Sequence, residues 1–153
     1  ARVVPLDVTD DASVDEAVVA AGTFDGVIYC AGYYEPVDAK VWDRTAERML
    51  DVNFTGALRL LARILPPMVR ADRGHIVLIG SLSGFRGLPG AIGYSASKAA
   101  LISLGESLYA DLGDTGIKVQ IASPGFIKTR LTDKNDFDMP QLMTPEAAAD
   151  HVM

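Results

Sequence analysis

The sequence has little that would support a metal site, a disulfide bond or a nucleic-acid surface. It contains one cysteine, Cys30, and two histidines, His75 and His151. A lone cysteine cannot form an internal disulfide, and so few sulfur and imidazole groups exclude the usual zinc clusters. The formal net charge of -6 provides no basic surface for nucleic acid. We therefore expect no metal and no nucleic-acid partner.

Long apolar runs and targeting signals are also absent. No run approaches the ~18 apolar residues that a membrane-spanning helix needs, so no membrane association is predicted. The first residues lack the charged and then apolar pattern of a signal peptide, and we expect a cytoplasmic protein. The sequence starts at Ala1, inside a strand-like run, and not at a methionine. This start suggests that the natural protein has an upstream part.

Strand-like and helix-like stretches alternate along the chain, and 49% of the residues are apolar, enough for the core of one domain over 1–153. Ser13 and Glu16 have capping-box spacing, which predicts a helix start at Ser13. Short apolar strands between helices predict parallel βαβ units, whose ligands bind at the carboxyl ends of the strands. The predicted strands are 2–8, 26–30, 75–79 and 118–122, and the predicted helices are 13–21, 41–70, 94–112 and one starting at 144.

Tyr94 and Lys98 form the strongest chemical signal. Residues four apart share one face of a helix, so the phenol and the ammonium can face the same site. A free phenol has a pKa of about 10, and a nearby cation lowers it. Tyr94 could then give a proton to a carbonyl or take one from an alcohol. An exposed lysine beside a half-buried tyrosine is the plainer alternative, but the position after a Gly-rich loop in a βαβ chain favours a site.

Two polar residues could join this pair. Ser81 follows the third predicted strand directly, where its hydroxyl could bind a reacting oxygen as charge develops there. An isolated serine more often caps a turn, and Ser83 is a competitor. Asn53 lies in a helical stretch, where asparagine is a poor helix former. It is either a solvated residue or the mark of a bend whose freed carbonyl or side chain holds a water next to Lys98.

Together these residues resemble the short-chain dehydrogenase/reductase family. Tyr94 and Lys98 match its YxxxK pair, and Ser81 matches its catalytic serine at the family's spacing from the tyrosine. Asn53 lies in a stretch similar to the family's helix asparagine motif. Three more segments match in family order, namely Leu6-Asp7-Val8 with its acidic turn at the adenine, Tyr29-Cys30-Ala31-Gly32 with NNAG, and Pro124-Gly125-Phe126-Ile127-Lys128-Thr129 with PGxxxT. The resemblance covers nearly the whole chain.

The resemblance implies an α/β fold with a doubly wound, mostly parallel, Rossmann-like sheet. It implies an enzyme that interconverts a carbonyl and a secondary alcohol of a small molecule by hydride transfer with NAD or NADP. The resemblance implies that Tyr94 is the acid/base and that Lys98 lowers the pKa of Tyr94 and binds the nicotinamide ribose. It also implies that Ser81 polarises the substrate oxygen and that Asn53 supports a water chain. The cofactor-binding residues implied are Asp7, Val8, Cys30, Ala31, Gly32, Tyr94, Lys98, Pro124, Gly125, Ile127 and Thr129.

The sequence departs from the family pattern in two places. YCAG replaces NNAG, so two asparagine side chains are lost to Tyr29 and Cys30. Cys30, at the end of an apolar strand, is expected to be a buried small hydrophobe rather than a redox thiol. The family's Gly-rich pyrophosphate turn is absent as well. We therefore expect a fragment, incomplete at both ends of the Rossmann-like sheet, that on its own binds dinucleotide poorly and is inactive.

Residues 132–153 are predicted to include a substrate lid, and Tyr33 and Tyr34 either line the site or lie at the surface. The resemblance also implies a homodimer or homotetramer packed through the helices 41–70 and 94–112. Two other functions stay open. One is a same-fold epimerase or dehydratase, and the other is a catalytically silent member that acts as a binding or regulatory protein. The complete set of Asn53, Ser81, Tyr94 and Lys98 argues against silence.

Overall fold

The computed structural model describes residues 2–134 and 137–152. At its centre is a three-stranded parallel sheet in the order β1 (Gly26–Tyr29), β2 (Gly74–Ile79) and β3 (Ile117–Ala122). Tyr29 of β1 is opposite Leu78 of β2, and Ile79 of β2 is opposite Ala122 of β3. Parallel neighbours need long crossover connections, and helices supply them here. The predictions of strands at 26–30, 75–79 and 118–122 are confirmed to within one residue.

The helices follow the predicted order. Within the described residues the α-helices are α1 (Asp11–Ala21), α2 (Thr45–Leu50), α3 (Gly56–Ala71), α4 (Ile92–Asp111) and α5 (Pro145–Val152). A π turn at Asp51–Thr55 joins α2 to α3, so the single helix predicted over 41–70 is divided. Short 3-10 turns occur at Ala39–Val41, Leu82–Gly84 and Thr132–Lys134. None of the helices described is long and apolar enough to cross a membrane.

The start of α1 differs from the prediction. Asp10 is the N-cap, and its side chain accepts a hydrogen bond from the backbone N–H of Ala12 at 3.1 Å. The Ser13 hydroxyl instead accepts a bond from the backbone N–H of Asp7 at 2.9 Å. The capping-box prediction was therefore wrong. Asp and Ser cap about equally well, and the earlier residue begins the helix.

The predicted strand at 2–8 does not form. Val8 is buried, but Val3 is 92% exposed, and no strand in the described part of the chain pairs with this segment. A strand needs a neighbour for its backbone hydrogen bonds, and an apolar sequence alone does not supply one. The segment therefore runs as an extended connection into the acidic turn at Asp7.

The core lies where α3 and α4 cover the sheet. Helix α3 contributes Leu61, Ile64 and Met68, whose helical spacing directs them to one face. Pro66 and Pro67 lie inside α3 without ending it, since the helix continues to Ala71. Strand β2 contributes Ile76 and Leu78 and helix α4 contributes Leu101, all nearly fully buried.

Two glycines set the position of α4. A Cβ at Gly105 would lie 2.5 Å from the Cγ1 of Ile121, so glycine lets α4 lie close against β3. A Cβ at Gly93 would lie 2.7 Å from the backbone of Ala46, which allows α2 to cross the first turn of α4 closely. These contacts fix the first turns of α4, which carry Tyr94 and Lys98, near the carboxyl ends of the strands.

Candidate active site

The carboxyl ends of the three strands meet at one edge of the sheet. Beyond β2, the backbone N–H of Gly80 donates to the carbonyl of Ala122 at 2.7 Å, and that of Leu82 donates to the carbonyl of Pro124 at 3.2 Å. A Cβ at Gly80 would lie 2.7 Å from the Oγ of Ser123. The segments after β2 and β3 therefore lie directly beside each other, which is where ligands bind in parallel sheets.

Tyr94 and Lys98 share one face of α4, as their spacing predicts. Lys98 is 4% exposed, and its Nζ donates to the carbonyl of Ile79 at the end of β2, at 2.7 Å. The same Nζ lies 5.7 Å from the centroid of the Tyr94 ring. The alternative of an exposed lysine is therefore wrong, and a buried cation lies at the edge of the sheet.

Burial dominates the proton affinities of this pair. It lowers the pKa of Lys98 to about 8, because a buried ammonium loses its hydration. It also raises the pKa of the Tyr94 phenol, while a hydrogen bond from Ser81 acts in the opposite direction. The net shift of the Tyr94 pKa is therefore upward, opposite to the lowering predicted from Lys98. The Lys98 ammonium donates to Ile79, and desolvation outweighs the hydrogen bond to the phenol.

Ser81 both caps a turn and faces Tyr94. It is the N-cap of the 3-10 turn Leu82–Gly84, and its Oγ accepts hydrogen bonds from the backbone N–H of Ser83 at 3.2 Å and from the Ser83 hydroxyl at 3.0 Å. Both bonds use Ser81 as the acceptor, so its own proton is left for the oxygen of Tyr94 or of a substrate. The Ser83 hydroxyl donates its proton to the Ser81 Oγ, so Ser81 and not Ser83 has a hydroxyl proton available for the site.

Asn53 is fully buried within the π turn Asp51–Thr55. Its Oδ1 accepts from the backbone N–H of Tyr33 at 2.7 Å, and its Nδ2 donates to the carbonyl of Tyr33 at 3.0 Å and to the Ser97 Oγ at 2.9 Å. The alternative of a solvated asparagine is therefore wrong. A π turn, a rare feature that often occurs at functional sites, lies where a bend was the other alternative. The water predicted next to Lys98 stays a prediction.

Ser97 is a site residue that the sequence analysis missed. Its Oγ accepts from Asn53 and donates to the carbonyl of Tyr94 at 2.7 Å, and the residue is fully buried. It therefore ties the π turn to the first turn of α4. Serine hydroxyls in helices commonly bond a carbonyl one turn back, so its place directly before Lys98 was the available signal.

The residues predicted at the adenine, Asp7 and Val8, lie just before α1. The Asp7 carboxylate accepts from the backbone N–H and the hydroxyl of Thr9, at 2.9 and 2.7 Å, and these bonds hold its pKa below the usual value. The carbonyl of Val8 accepts from Arg59 at 3.2 Å.

Cys30 is exposed, so its predicted burial is wrong, because β1 ends at Tyr29. Partial desolvation still raises the pKa of the Cys30 thiol, which does not favour a reactive thiolate.

The segment after β3 is braced by residues of the predicted lid. The backbone N–H of Met143 donates to the carbonyl of Phe126, and that of Lys128 donates to the carbonyl of Met143, both at 2.9 Å. The Thr132 hydroxyl donates to the carbonyl of Ile127 at 2.7 Å and accepts from the backbone N–H of Thr129 at 2.9 Å. Part of the predicted lid, residues 135–136 and 153, lies outside the described residues, and the lid function stays a prediction.

Tyr34 lines the site, one of the two positions that the sequence analysis allowed for it. Its ring packs edge-on against Tyr94, with 5.2 Å between the centroids. Lys134 donates to the carbonyl of Tyr34 at 2.8 Å and pairs with Glu35, so the 3-10 turn Thr132–Lys134 is linked to the segment after β1. Tyr33 lies next to this contact, with the Arg48 guanidinium 4.8 Å from its ring centroid.

The site residues fit a nicotinamide dinucleotide. At the end of β1, a Cβ at Gly32 would meet nothing closer than 3.9 Å, and one at Gly125 after β3 would meet nothing closer than 3.5 Å. The backbone is thus open to a ligand on both sides of Ser81. A buried cation, two hydroxyls and free backbone at one sheet edge are a donor set suited to a ribose and a planar carboxamide.

Comparisons with known proteins identify the family of the chain. The family model described as short chain dehydrogenase matches residues 1–139. An uncharacterized oxidoreductase of Myxococcus xanthus (strain DK1622) is 44% identical over 153 residues, covering 96% of this chain and 60% of the relative. Thus the chain spans less than two thirds of that relative's length.

Two solved structures are similar over nearly the whole chain. A serine dehydrogenase in its closed form with NADP+ has a TM-score of 0.83 at 25% identity, and the match covers 96% of this chain and 66% of the other. ElxO with NADP bound has a TM-score of 0.83 at 28% identity, covering 95% and 67%.

The chain thus has an α/β fold with a parallel, Rossmann-like sheet, and the candidate site lies at the carboxyl edge of that sheet. The chain belongs to the short-chain dehydrogenase/reductase family. The family resemblance stated from the sequence motifs is confirmed, and so is the fold class.

Proposed function

We propose that the natural protein is an NAD(P)-dependent oxidoreductase that interconverts a carbonyl and a secondary alcohol. The observation that carries the proposal is the meeting of Ser81, Tyr94 and Lys98 at the sheet edge. Asn53 is joined to them through Ser97 at 2.9 and 2.7 Å. A catalytically silent relative would have no need of this complete set. Membership in the family and the oxidoreductase name of the Myxococcus relative support the reaction class.

Tyr94 is the proposed acid/base. Because burial raises its pKa, the phenol keeps its proton at neutral pH and can donate it to a carbonyl oxygen. The Ser81 hydroxyl donates to the same oxygen and stabilises the charge that develops on it. The Lys98 cation lies close enough to favour the phenolate that remains after the transfer. A bound nicotinamide supplies or accepts the hydride.

The cofactor would be held along the edge of the sheet. We propose that Asp7 and Val8 contact the adenosine and that Lys98 contacts the nicotinamide ribose. Backbone atoms of Cys30, Ala31 and Gly32 would border the dinucleotide. The segment from Pro124 through Gly125 and Ile127 to Thr129 would bind the carboxamide. NADP is bound in two similar structures, which supports a nicotinamide cofactor. We propose that this cofactor is NAD or NADP.

We also propose a homodimer or homotetramer packed through α3 and α4. Helix α3 exposes apolar side chains, with Leu58 39% and Val69 48% exposed. Burying exposed apolar side chains against a second copy is favourable. Analytical ultracentrifugation of the natural protein measures the assembly, and a monomer at micromolar concentration would contradict it.

The proposed role of Ser81 is tested by comparing two serine substitutions. We expect Ser81→Ala to lower kcat by about 10²-fold or more, because one donor to the reacting oxygen is lost. Ser83→Ala is the matched control, two residues away and with its hydroxyl directed at Ser81. Its loss is expected to be much smaller, because Ser81 keeps its own proton.

The assay follows NADPH or NADH in the natural full-length protein. The substrates are a panel of secondary alcohols and ketones, with serine, a primary alcohol, tested beside them. Serine is included because a structural neighbour acts on it by name. Equal losses in the two serine variants would contradict the assignment to Ser81. Absence of turnover across the whole panel with both cofactors would contradict the oxidoreductase proposal itself.

A further inference from the structure

Tyr29 makes a buried contact between β1 and the π turn. The residue is 4% exposed at the end of the strand, and its hydroxyl donates to the carbonyl of Val52 at 2.6 Å. Burial raises the pKa of this phenol, so it remains a hydrogen-bond donor at any physiological pH. Tyr29 is the first residue of the YCAG segment, in which tyrosine and cysteine replace the two asparagines of the family pattern NNAG.

The room for this hydroxyl comes from Gly56. A Cβ at Gly56 would lie 2.5 Å from the Tyr29 hydroxyl oxygen and 2.9 Å from the Cβ of Val8. Any other side chain there would push the phenol away from the π turn. Strand β1, the segment at Val8 and the start of α3 therefore meet closely around the Tyr29 ring.

The carbonyl that Tyr29 binds belongs to the turn that carries Asn53. In this π turn the backbone N–H of Gly56 bonds the carbonyl of Asp51 five residues back, so the regular helical pairing is shifted. A donor from outside the helix stabilises such a shifted turn by pairing one of its carbonyls. Tyr29 supplies that donor at Val52, directly before Asn53.

From Asn53 the contacts continue to α4. Its Nδ2 donates to the Ser97 Oγ at 2.9 Å, and that hydroxyl donates to the carbonyl of Tyr94 at 2.7 Å. Lys98 follows Ser97 in the chain. Two bonds thus separate the π turn from the backbone of the proposed acid/base, and both are buried or partly buried.

We propose that Tyr29 is a positioning residue for this site. Its hydroxyl fixes the Val52 carbonyl and thereby the π turn, Asn53 and the first turn of α4. The inference rests on the proposed function and adds to it a residue from β1 that touches neither substrate nor cofactor. The YCAG segment lacks the two asparagines of the family pattern. We infer that the Tyr29 phenol supplies the polar link between β1 and the π turn in their place.

A second brace of the turn is different in kind. Arg59 pairs with Asp51 at 2.8 Å and donates to the carbonyl of Val8 at 3.2 Å. The Asp51 side chain is 41% exposed, so salt screens this pair. The Tyr29 bond is buried and neutral, and its effect on the site is expected to be the same at low and high salt.

The test replaces Tyr29 by phenylalanine in the natural full-length protein. We expect kcat to fall about tenfold or more with the proposed substrate panel, because small displacements of reacting groups are costly. The KM for the cofactor should change little, and the pH profile of kcat should shift. Backbone amides at 51–56 should exchange hydrogen faster by mass spectrometry. Tyr109→Phe is the control, since it removes a hydroxyl from a residue that is 68% exposed.

Gly56→Ala provides a second route to the same result. The added methyl group displaces the Tyr29 hydroxyl without removing the ring, so the same shift in the pH profile and the same faster exchange are expected. This variant decides the question if Tyr29→Phe fails to fold. Wild-type exchange at 51–56 and a wild-type pH profile in the folded variants would overturn the proposal.

The outcome is separable from the fate of the proposed function. If Tyr94→Phe is inactive while Tyr29→Phe keeps wild-type kcat, pH profile and exchange, the positioning role is wrong and the reaction stands. If Tyr94→Phe is fully active, the proposed mechanism is wrong. Unchanged exchange at 51–56 in Tyr29→Phe then also removes the link from Tyr29 to the turn, and faster exchange supports it.

Discussion

Replacing Tyr94 by phenylalanine is expected to lower kcat by about 10²- to 10⁴-fold, the range that a positioned acid/base contributes. The ring and its edge contact with Tyr34, 5.2 Å between centroids, are kept, so the loss reports the hydroxyl alone. Cofactor affinity should be retained, because Lys98 and the backbone at the sheet edge are unchanged. Steady-state kinetics with the natural protein and fluorescence titration with NADPH and NADH measure the two quantities.

The direction of the reaction gives this prediction a second readout. Since burial raises the pKa of Tyr94, its phenol is protonated at neutral pH. Reduction needs that proton, whereas oxidation needs the phenolate, so oxidation should gain more than reduction as the pH rises. Tyr109→Phe serves as the control, and near wild-type kcat in Tyr94→Phe would remove Tyr94 from the mechanism.

The parts of the fold that the sequence predicted are those with local causes. Apolar runs such as 75–79 and 118–122 become strands because each can be buried between helices, and both were located to within one residue. The run at 2–8 is also rich in valine and leucine but forms no strand. Its failure arises because strand pairing depends on a neighbour distant in the sequence, which composition does not show.

The candidate site divides in the same way. Tyr94 and Lys98 were predicted because four residues is one helical turn, and Ser81 because it follows a strand directly. Tyr29 and Ser97 were not assigned roles, because their partners Val52 and Asn53 lie 23 and 44 residues away. The sign of the Tyr94 pKa shift was wrong because burial, which the sequence does not show, outweighs the other influences on the phenol.

Replacing Lys98 by methionine is expected to separate activity from stability. We expect kcat to fall by about 10²-fold or more, because the cation that favours the phenolate is removed. Methionine keeps an unbranched apolar chain of similar length in a position that is 4% exposed in the wild type. The variant should therefore fold, and circular dichroism with thermal unfolding checks that it does.

The stability difference should depend on pH with a defined sign. The folded-state pKa of Lys98 is about 8, below its ordinary value of 10.5. Between these values the unfolded chain binds a proton that the folded chain does not, so wild-type stability increases with pH. Below the folded pKa both states are charged, and the wild type carries the full desolvation cost. The methionine variant should thus be relatively most stable near neutral pH.

Denaturant unfolding of both proteins from about pH 7 to about pH 9 tests this sign. From about pH 7 to one unit above the folded pKa, the free energy of unfolding of the wild type should increase by about 1.4 kcal/mol relative to that of the variant. Using the difference between the proteins removes, to first order, the titration of the tyrosines, which both proteins share. Lys118→Met, at an exposed lysine of β3, should show no such trend. A pH-independent difference for Lys98→Met would mean that the ammonium is not desolvated in the folded protein, and the buried cation on which the site depends would have to be abandoned.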